Sequence, residues 1–153
     1  MAGQVSPLAG RMSAHVSVAW LDQRLAGLDL DVSVLSQLRE ANPGADTATL
    51  RTRLALIGLG PGHIEGPSGR LSGGERLKAA LACVLYAAAP AGLLLLDEPG
   101  NHLDFEGLEA LESMLRQYTG ALVIVSHDEA LLERLELTHR LALSRESARL
   151  SLC

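Results

Sequence analysis

Short apolar runs alternate along the chain with stretches in which apolar residues recur every three or four positions. Residues 15–21 alternate apolar and polar side chains, which predicts a strand. Residues 93–96 are four leucines and residues 121–125 read ALVIV, and such short runs closed by polar or turn residues are typical of buried parallel strands. The pattern therefore predicts a parallel sheet.

Helical spacing fills the intervals between these runs. Asp31 and Ser72 precede two of the helical stretches and are expected to cap them. The predicted helices cover residues 32–40, 47–57, 72–88, 104–118 and 129–135. Residues 141–143 and 149–152 predict a small terminal hairpin. The order of elements is that of an α/β fold, with residues 28–70 as a helical insertion outside the sheet.

Composition narrows the class of protein. The chain has 153 residues, 48% hydrophobic and 20% charged, which is enough for one globular domain with a core. The net charge of -5 argues against a broad basic surface for nucleic acid. Cys83 and Cys153 have no metal-ligand spacing, and no apolar run approaches the roughly 18 residues that a membrane helix needs. We expect a reduced, cytoplasmic protein with no membrane domain in this chain.

Two carboxylates follow the leucine run directly. Asp97 and Glu98 come before Pro99 and Gly100, which end any regular element. Open α/β sheets bind ligands at the carboxyl ends of their strands, and an unpaired buried carboxylate is costly. A metal ion with phosphate would supply a partner for these side chains, and a purely structural turn is the alternative.

A glycine pair opens the third predicted helix. Ser72 and Glu75 have capping-box spacing, and Gly73 and Gly74 lie between them. Glycines allow close approach of an anion to the backbone, and a helix N-terminus carries partial positive charge. The stretch could therefore bind a phosphate without a cation of its own, or it could be a simple capped loop.

Further polar residues stand where predicted strands end. Gln23 follows the first strand, and His127 follows the strand at residues 121–125. Taken singly, each could be an ordinary residue at a strand end or near a helix cap. His102 is interpreted as structural. The remaining histidines show no ligand spacing and receive no role: His15, His63 and His139.

In this order the motifs resemble an ATP-binding-cassette nucleotide-binding domain. They are Gln23, LSGGE at 71–75, LLLLDEP at 93–99 with NHLD at 101–104, and SHD at 126–128. NHLD after DEP and WLDQ at the first strand look most like the ABC-F branch, soluble proteins with two cassettes in one chain. The resemblance covers nearly the whole chain. It implies the parallel-sheet core of a phosphate-loop NTPase together with a helical subdomain.

The resemblance also implies roles for the matching residues. Asp97 would hold Mg²⁺ through water, and Glu98 would act as general base. His127 would contact the γ-phosphate or the attacking water, and Gln23 would sense metal and water. The signature residues would bind the phosphate of ATP held by a second cassette, and Asp104 would end a loop that crosses to that partner. The signature residues are Ser72, Gly73, Gly74 and Glu75.

The chain departs from the family pattern at the phosphate loop. The loop needs G-x-x-x-x-G-K-[ST], but the only lysine, Lys78, stands between Leu77 and Ala79. We therefore expect a truncated cassette that begins after the loop and its strand, and that neither binds ATP tightly nor hydrolyses it alone. An open sheet edge would then favour self-association. Gly100 stands where the family usually has threonine.

The predicted division has three parts: residues 1–27 end the nucleotide-binding core with the glutamine strand, 28–85 form the helical signature subdomain, and 86–153 complete the core. The leading hypothesis is an ABC-F ATPase cassette, for which the family implies ribosome association. A cassette of a membrane transporter is the second hypothesis. The third is a non-catalytic module that lends LSGGE to ATP on another chain.

Overall fold

The computed structural model describes residues 15–22, 27–101, 103–143 and 148–153. In these ranges the strands are β1 (Val18–Leu21), β2 (Leu93–Asp97), β3 (Ala121–Val125), β4 (His139–Leu143) and β5 (Ala148–Leu152). The α-helices there are α1 (Val34–Glu40), α2 (Thr47–Leu56), α3 (Pro61–Ile64), α4 (Gly73–Leu85), α5 (Phe105–Arg116) and α6 (Glu129–Arg134). A 3₁₀ turn covers Ser68–Arg70.

A parallel sheet forms the centre of the fold, with β2 between β1 and β3. Leu94 and Leu96 of β2 are fully buried, and Leu21 of β1 packs in the same apolar cluster. This cluster continues into α1, α2, α4 and α5, so the helices cover one face of the sheet. The predicted α/β fold with a parallel sheet is confirmed.

The first helix begins later than predicted, and its cap is Ser33 rather than Asp31. The Ser33 hydroxyl accepts from the Ser36 amide at 3.2 Å. The Gln37 side chain explains the shift, because its amide group donates to the carbonyls of Asp29 and Val32 and accepts from the Asp29 amide. These bonds hold the preceding residues in a turn and keep them out of the helix.

The prediction that β3 is fully buried is wrong. Its side chains alternate: Leu122 and Ile124 pack against the core, whereas Val123 and Val125 are 38% and 52% exposed. On β1, at the other edge of the sheet, Trp20 is 40% exposed. Within the described residues, no element covers this second face of the sheet, although parallel sheets normally have both faces covered. We call the exposed apolar side chains of Trp20, Val123 and Val125 the open sheet face.

The terminal hairpin is confirmed and is longer than predicted. β4 and β5 pair antiparallel, with Leu141 opposite Leu150. Leu143 and Leu152 are 75% and 77% exposed, so the hairpin presents apolar side chains to solvent. The helix α4 ends at Leu85 and not near residue 88, because the Ala88 amide donates instead to the carbonyl of Ala41 at 3.1 Å.

Candidate functional site

The carboxyl end of β2 carries the two acidic residues. Asp97 is the last residue of the strand and lies opposite Val125 of β3. Glu98 has a φ of 49°, a left-handed conformation that non-glycine residues seldom adopt. Its amide donates to the Val125 carbonyl at 2.8 Å, which extends the pairing with β3 by one residue. A strained residue held by strand pairing is typical of functional sites.

Glu98 faces the segment that follows β3. The His127 amide donates to Glu98 Oε2 at 3.4 Å, and His127 Nε2 lies 3.5 Å from Glu98 Oε1. The Glu98 side chain is 13% exposed, whereas the His127 side chain is 99% exposed. Parallel pairing of β2 with β3 therefore brings the predicted base and the predicted histidine together.

One oxygen of Glu98 lacks a hydrogen bond. The 3.5 Å contact of His127 with Oε1 is an ion-pair distance, and its geometry does not make it a hydrogen bond. Oε1 is buried and has no hydrogen-bond partner among the described residues. A buried acceptor without a donor is costly, so a donor such as water would stabilise it.

The residues at this strand end fit a magnesium–phosphate group in part. Asp97 and Glu98 supply carboxylate oxygens, which Mg²⁺ prefers, and Mg²⁺ commonly uses one or two carboxylates with phosphate oxygens and water. In the part of the chain that the structure describes, no group of three or more His, Cys, Asp or Glu side chains is placed to hold a metal. The remaining ligands would have to come from nucleotide and water.

The signature stretch begins α4 as predicted. The Ser72 hydroxyl accepts from the Glu75 amide at 3.3 Å, and Glu75 Oε2 accepts from the Ser72 amide at 2.8 Å. This is a complete capping box. It leaves Gly73 and Gly74 in the first turn, where helix amides have no intrahelical partner.

Hydrogen bonds from Ser72 hold the pKa of the Glu75 carboxyl below its ordinary value of 4.5, and the charges of His63 and Lys78 act in the same direction. His63 Nε2 on α3 lies 3.2 Å from Glu75 Oε1. Sequence reasoning assigned His63 nothing, because its contact with α4 depends on how the helices pack.

Leu103 connects the signature helix to the loop after β2. A Cβ at Gly74 would lie 3.1 Å from Leu103 Cδ2, and one at Gly107 would lie 3.3 Å from Leu103 Cβ. The leucine therefore occupies space that these two glycines leave open. Leu103 lies within the predicted NHLD stretch, but its packing against the signature helix was not predicted, and the glycines at 74 and 107 were the only signal.

The other predicted site residues are placed as follows. Asp104 caps α5, with Oδ1 accepting from the Gly107 amide at 2.8 Å. Gln23 and His102 lie outside the described residues. The nucleotide-related roles of all these side chains stay predictions.

Solved structures of similar shape are ATP-binding-cassette proteins. An archaeal ribosome recycling factor, solved in complex with a ribosomal stalk protein, matches with a TM-score of 0.73 and 22% identity, over 97% of this chain and 30% of its own. An inward-facing ABC transporter of metal-chelate type matches with a TM-score of 0.70 and 22% identity, over 98% of this chain and 64% of its own. The fold and the order of the site elements define a segment of an ATP-binding-cassette ATPase domain.

Curated relatives identify the branch of the ATP-binding-cassette family. The ATP-binding protein YdiF of Bacillus subtilis is 38% identical over 80% of this chain and 19% of its own length. The ABC transporter F family member 3 of Arabidopsis thaliana is 36% identical over 86% and 19%. The tylosin resistance ATP-binding protein TlrC of Streptomyces fradiae is 37% identical over 91% and 25%. The chain belongs to the ABC-F branch of the family.

The chain spans about a fifth of the length of the first two relatives, 19% in each case. No protein-family model matches it. Among the helices of the described ranges, none combines the length and the apolar character that crossing a membrane requires.

We predict that Gly74→Ala is less stable to urea than Gly73→Ala by about 1 kcal/mol or more, because only the methyl group at position 74 displaces Leu103. At Gly73 a Cβ meets nothing within 4 Å, so that variant is the matched control. Leu103→Ala should remove most of the difference in the double variant. Equal free energies of unfolding for the two alanine variants would contradict the packing.

We predict that the wild-type chain is more stable than Glu75→Gln by up to about 1 kcal/mol above pH 4.5, and that this difference disappears in acid. The folded-state pKa of Glu75 is depressed, so the unfolded chain binds more protons and stability rises with pH. Stability from the carboxylate is present above 4.5 and is lost as pH falls through the lower folded-state pKa. Thermal unfolding between pH 3 and pH 7 measures it, and a difference that grows in acid would be the wrong sign.

Proposed function

We propose that the chain is part of an ABC-F ATPase cassette and supplies the acidic strand end and the signature motif of a nucleotide site. The observation that carries the proposal is Glu98, nearly buried, with a hydrogen-bond-free oxygen and His127 beside it. Glu98 acts as general base for the attacking water, and His127 contacts that water or the γ-phosphate. Asp97 would hold Mg²⁺ with the help of Gln23, and the ion would supply charge stabilisation for the phosphate oxygens.

The signature residues act on a different ATP molecule. Gly73 and Gly74 offer first-turn amides at the N-terminus of α4, and Ser72 and Glu75 fix that turn through the capping box. Such an end binds the γ-phosphate of ATP held by a second cassette. Asp104 closes a loop directed at the same partner. A second cassette, in the same full-length protein or in another chain, is therefore the required partner.

ATP and Mg²⁺ are the cofactors of the intact protein, but these 153 residues contain no phosphate-loop sequence. The backbone amides and the lysine of that loop provide most of the triphosphate binding. By this proposal the chain alone binds ATP weakly and does not hydrolyse it. The proposed division of the chain has three parts: residues 1–27 end the core, residues 28–85 form the signature subdomain, and residues 86–153 complete the core.

Ribosome association in the cytoplasm is the role that the ABC-F resemblance implies, and we propose it ahead of a transporter role. Sedimentation of the full-length protein with ribosomes supports this assignment. Its recovery with membranes instead would favour the transporter cassette.

We predict that the purified chain alone shows no ATP turnover above the buffer background, because the triphosphate-binding loop is absent from it. Phosphate release in the presence of Mg²⁺ measures this. The control is Glu98→Gln, which removes the base while it keeps the shape of the side chain. Turnover by the wild-type chain that vanishes in this variant would contradict the prediction.

We predict that adding the chain to an intact ABC-F cassette raises the ATP turnover of the mixture, because the signature helix completes the site of its partner. Ser72→Arg should abolish the gain, since a large side chain then blocks the N-terminus of α4. Ser113→Arg on the exposed face of α5 is the matched control and should keep the gain. If the Ser72→Arg variant still raised the ATP turnover of the mixture, the signature helix would not be the cause of the increase, and the prediction would be contradicted.

We predict that the chain self-associates through the open sheet face, whose exposed apolar side chains have no cover among the described residues. Light scattering should give a mass above the 16.2 kDa of one chain. Val123→Thr with Val125→Thr should lower that mass, whereas Val32→Thr, at a similarly exposed position in the helical block, should not. A clean monomer of the wild-type chain would contradict the prediction.

A further inference from the structure

His63 lies beside the signature motif without belonging to it. It is on α3, a single turn anchored by the buried side chain of Ile64 and by the bond from the His63 amide to the Gly60 carbonyl at 2.9 Å. This anchoring directs the imidazole towards the N-terminus of α4, where Nε2 lies 3.2 Å from Glu75 Oε1. The two side chains are 46% and 29% exposed, so water reaches the pair.

Glu75 therefore uses its two oxygens for different partners. Oε2 accepts from the Ser72 amide at 2.8 Å, and Oε1 faces His63. Histidine changes its charge between about pH 5 and pH 8, so the contact is an ion pair only when the imidazole is protonated. The same carboxylate therefore links the His63 imidazole to the Ser72 amide.

Other charged side chains lie near the contact between His63 and Glu75. The charge of Lys78 on α4 also lowers the pKa of Glu75. Glu65, which ends α3, pairs with Arg51 of α2 at 2.9 Å and so has its own partner. Among these charged groups, Glu75 is the one recorded within ion-pair distance of His63.

Resting on the proposed function, we propose that His63 is a positioning residue for the signature helix: its imidazolium fixes Glu75 and offsets the carboxylate charge where a phosphate approaches. A bare carboxylate in the first turn of α4 repels an incoming anion, and the opposite charge of His63 reduces that repulsion. Phosphate recognition by this helix is then stronger when His63 is protonated. His63 acts through Glu75 and does not itself contact the nucleotide.

Hydrogen exchange at the Ser72 amide tests whether His63 positions Glu75, and it needs only the full chain without any partner. Residue-resolved mass spectrometry gives the exchange rate of each variant divided by that of the wild-type chain, which cancels the intrinsic effect of pH. His63→Gln should exchange about two- to fivefold faster at pH 5.5 and equally fast at pH 8, as for the loss of an exposed ion pair. His63→Lys, with a permanent charge, should match the wild type at pH 5.5 and exchange more slowly at pH 8.

His139→Gln is the matched control, because His139 is an exposed histidine that contacts Thr138 in the hairpin. Its ratio should be one at both pH values. A ratio for His63→Gln that is one at pH 5.5, or the same at both pH values, would overturn the proposal.

Stimulation of ATP turnover by an intact cassette distinguishes failure of the His63 proposal from failure of the proposed function. The stimulation of ATP turnover by each variant is divided by that of the wild-type chain at the same pH. At pH 5.5 the His63→Gln variant should stimulate about two- to fivefold less than the wild type. At pH 8 the His63→Lys variant should stimulate more than the wild type. Stimulation that is independent of residue 63 overturns the role of His63 and leaves the proposed function intact. If the wild-type chain does not stimulate at all, the proposed function fails, and the phosphate-directed role of His63 fails with it.

Discussion

Parallel pairing of β2 with β3 is the constraint on which the candidate site depends. The pairing continues one residue beyond β2, where the Glu98 amide bonds to the Val125 carbonyl and holds Glu98 in a left-handed conformation. Because both strands end at the same edge, His127 follows directly beside the carboxylate. Leu94 and Leu96 of β2 are buried on the face opposite the open sheet face, so the core fixes the position of the acidic pair.

The signature helix depends on that same strand end through a steric contact. Leu103, in the loop after β2, fills the space beside Gly74 and Gly107. A change in the loop would therefore reach the first turn of α4 through packing alone. The capping box and His63 then decide how the first turn of α4 is held and how much negative charge it carries.

Local signals predicted the strands at residues 93–96 and 121–125, the capping box and the acidic strand end, because each depends on neighbours within a few positions. Sequence reasoning failed where distant segments decide. The uncovered sheet face left Val125 exposed in a run that reads as buried. The start of α1 is a nearer case, because the side-chain bonds of Gln37 to Asp29 and Val32 place the cap at Ser33, and this arrangement has no capping signature in the sequence. The contact between His63 and Glu75 joins separate helices, so no spacing rule could reveal it.

The central claim is that these 153 residues carry the proposed catalytic strand end and signature helix but not the phosphate loop that would hold ATP on the chain itself. The stoichiometry of bound nucleotide tests this most directly. The chain is mixed with an intact ABC-F cassette whose own signature serine is replaced by arginine, and bound ATP is counted by equilibrium dialysis. The claim predicts one ATP for each one-to-one complex and none on the chain alone. Two ATP molecules for each complex would contradict it.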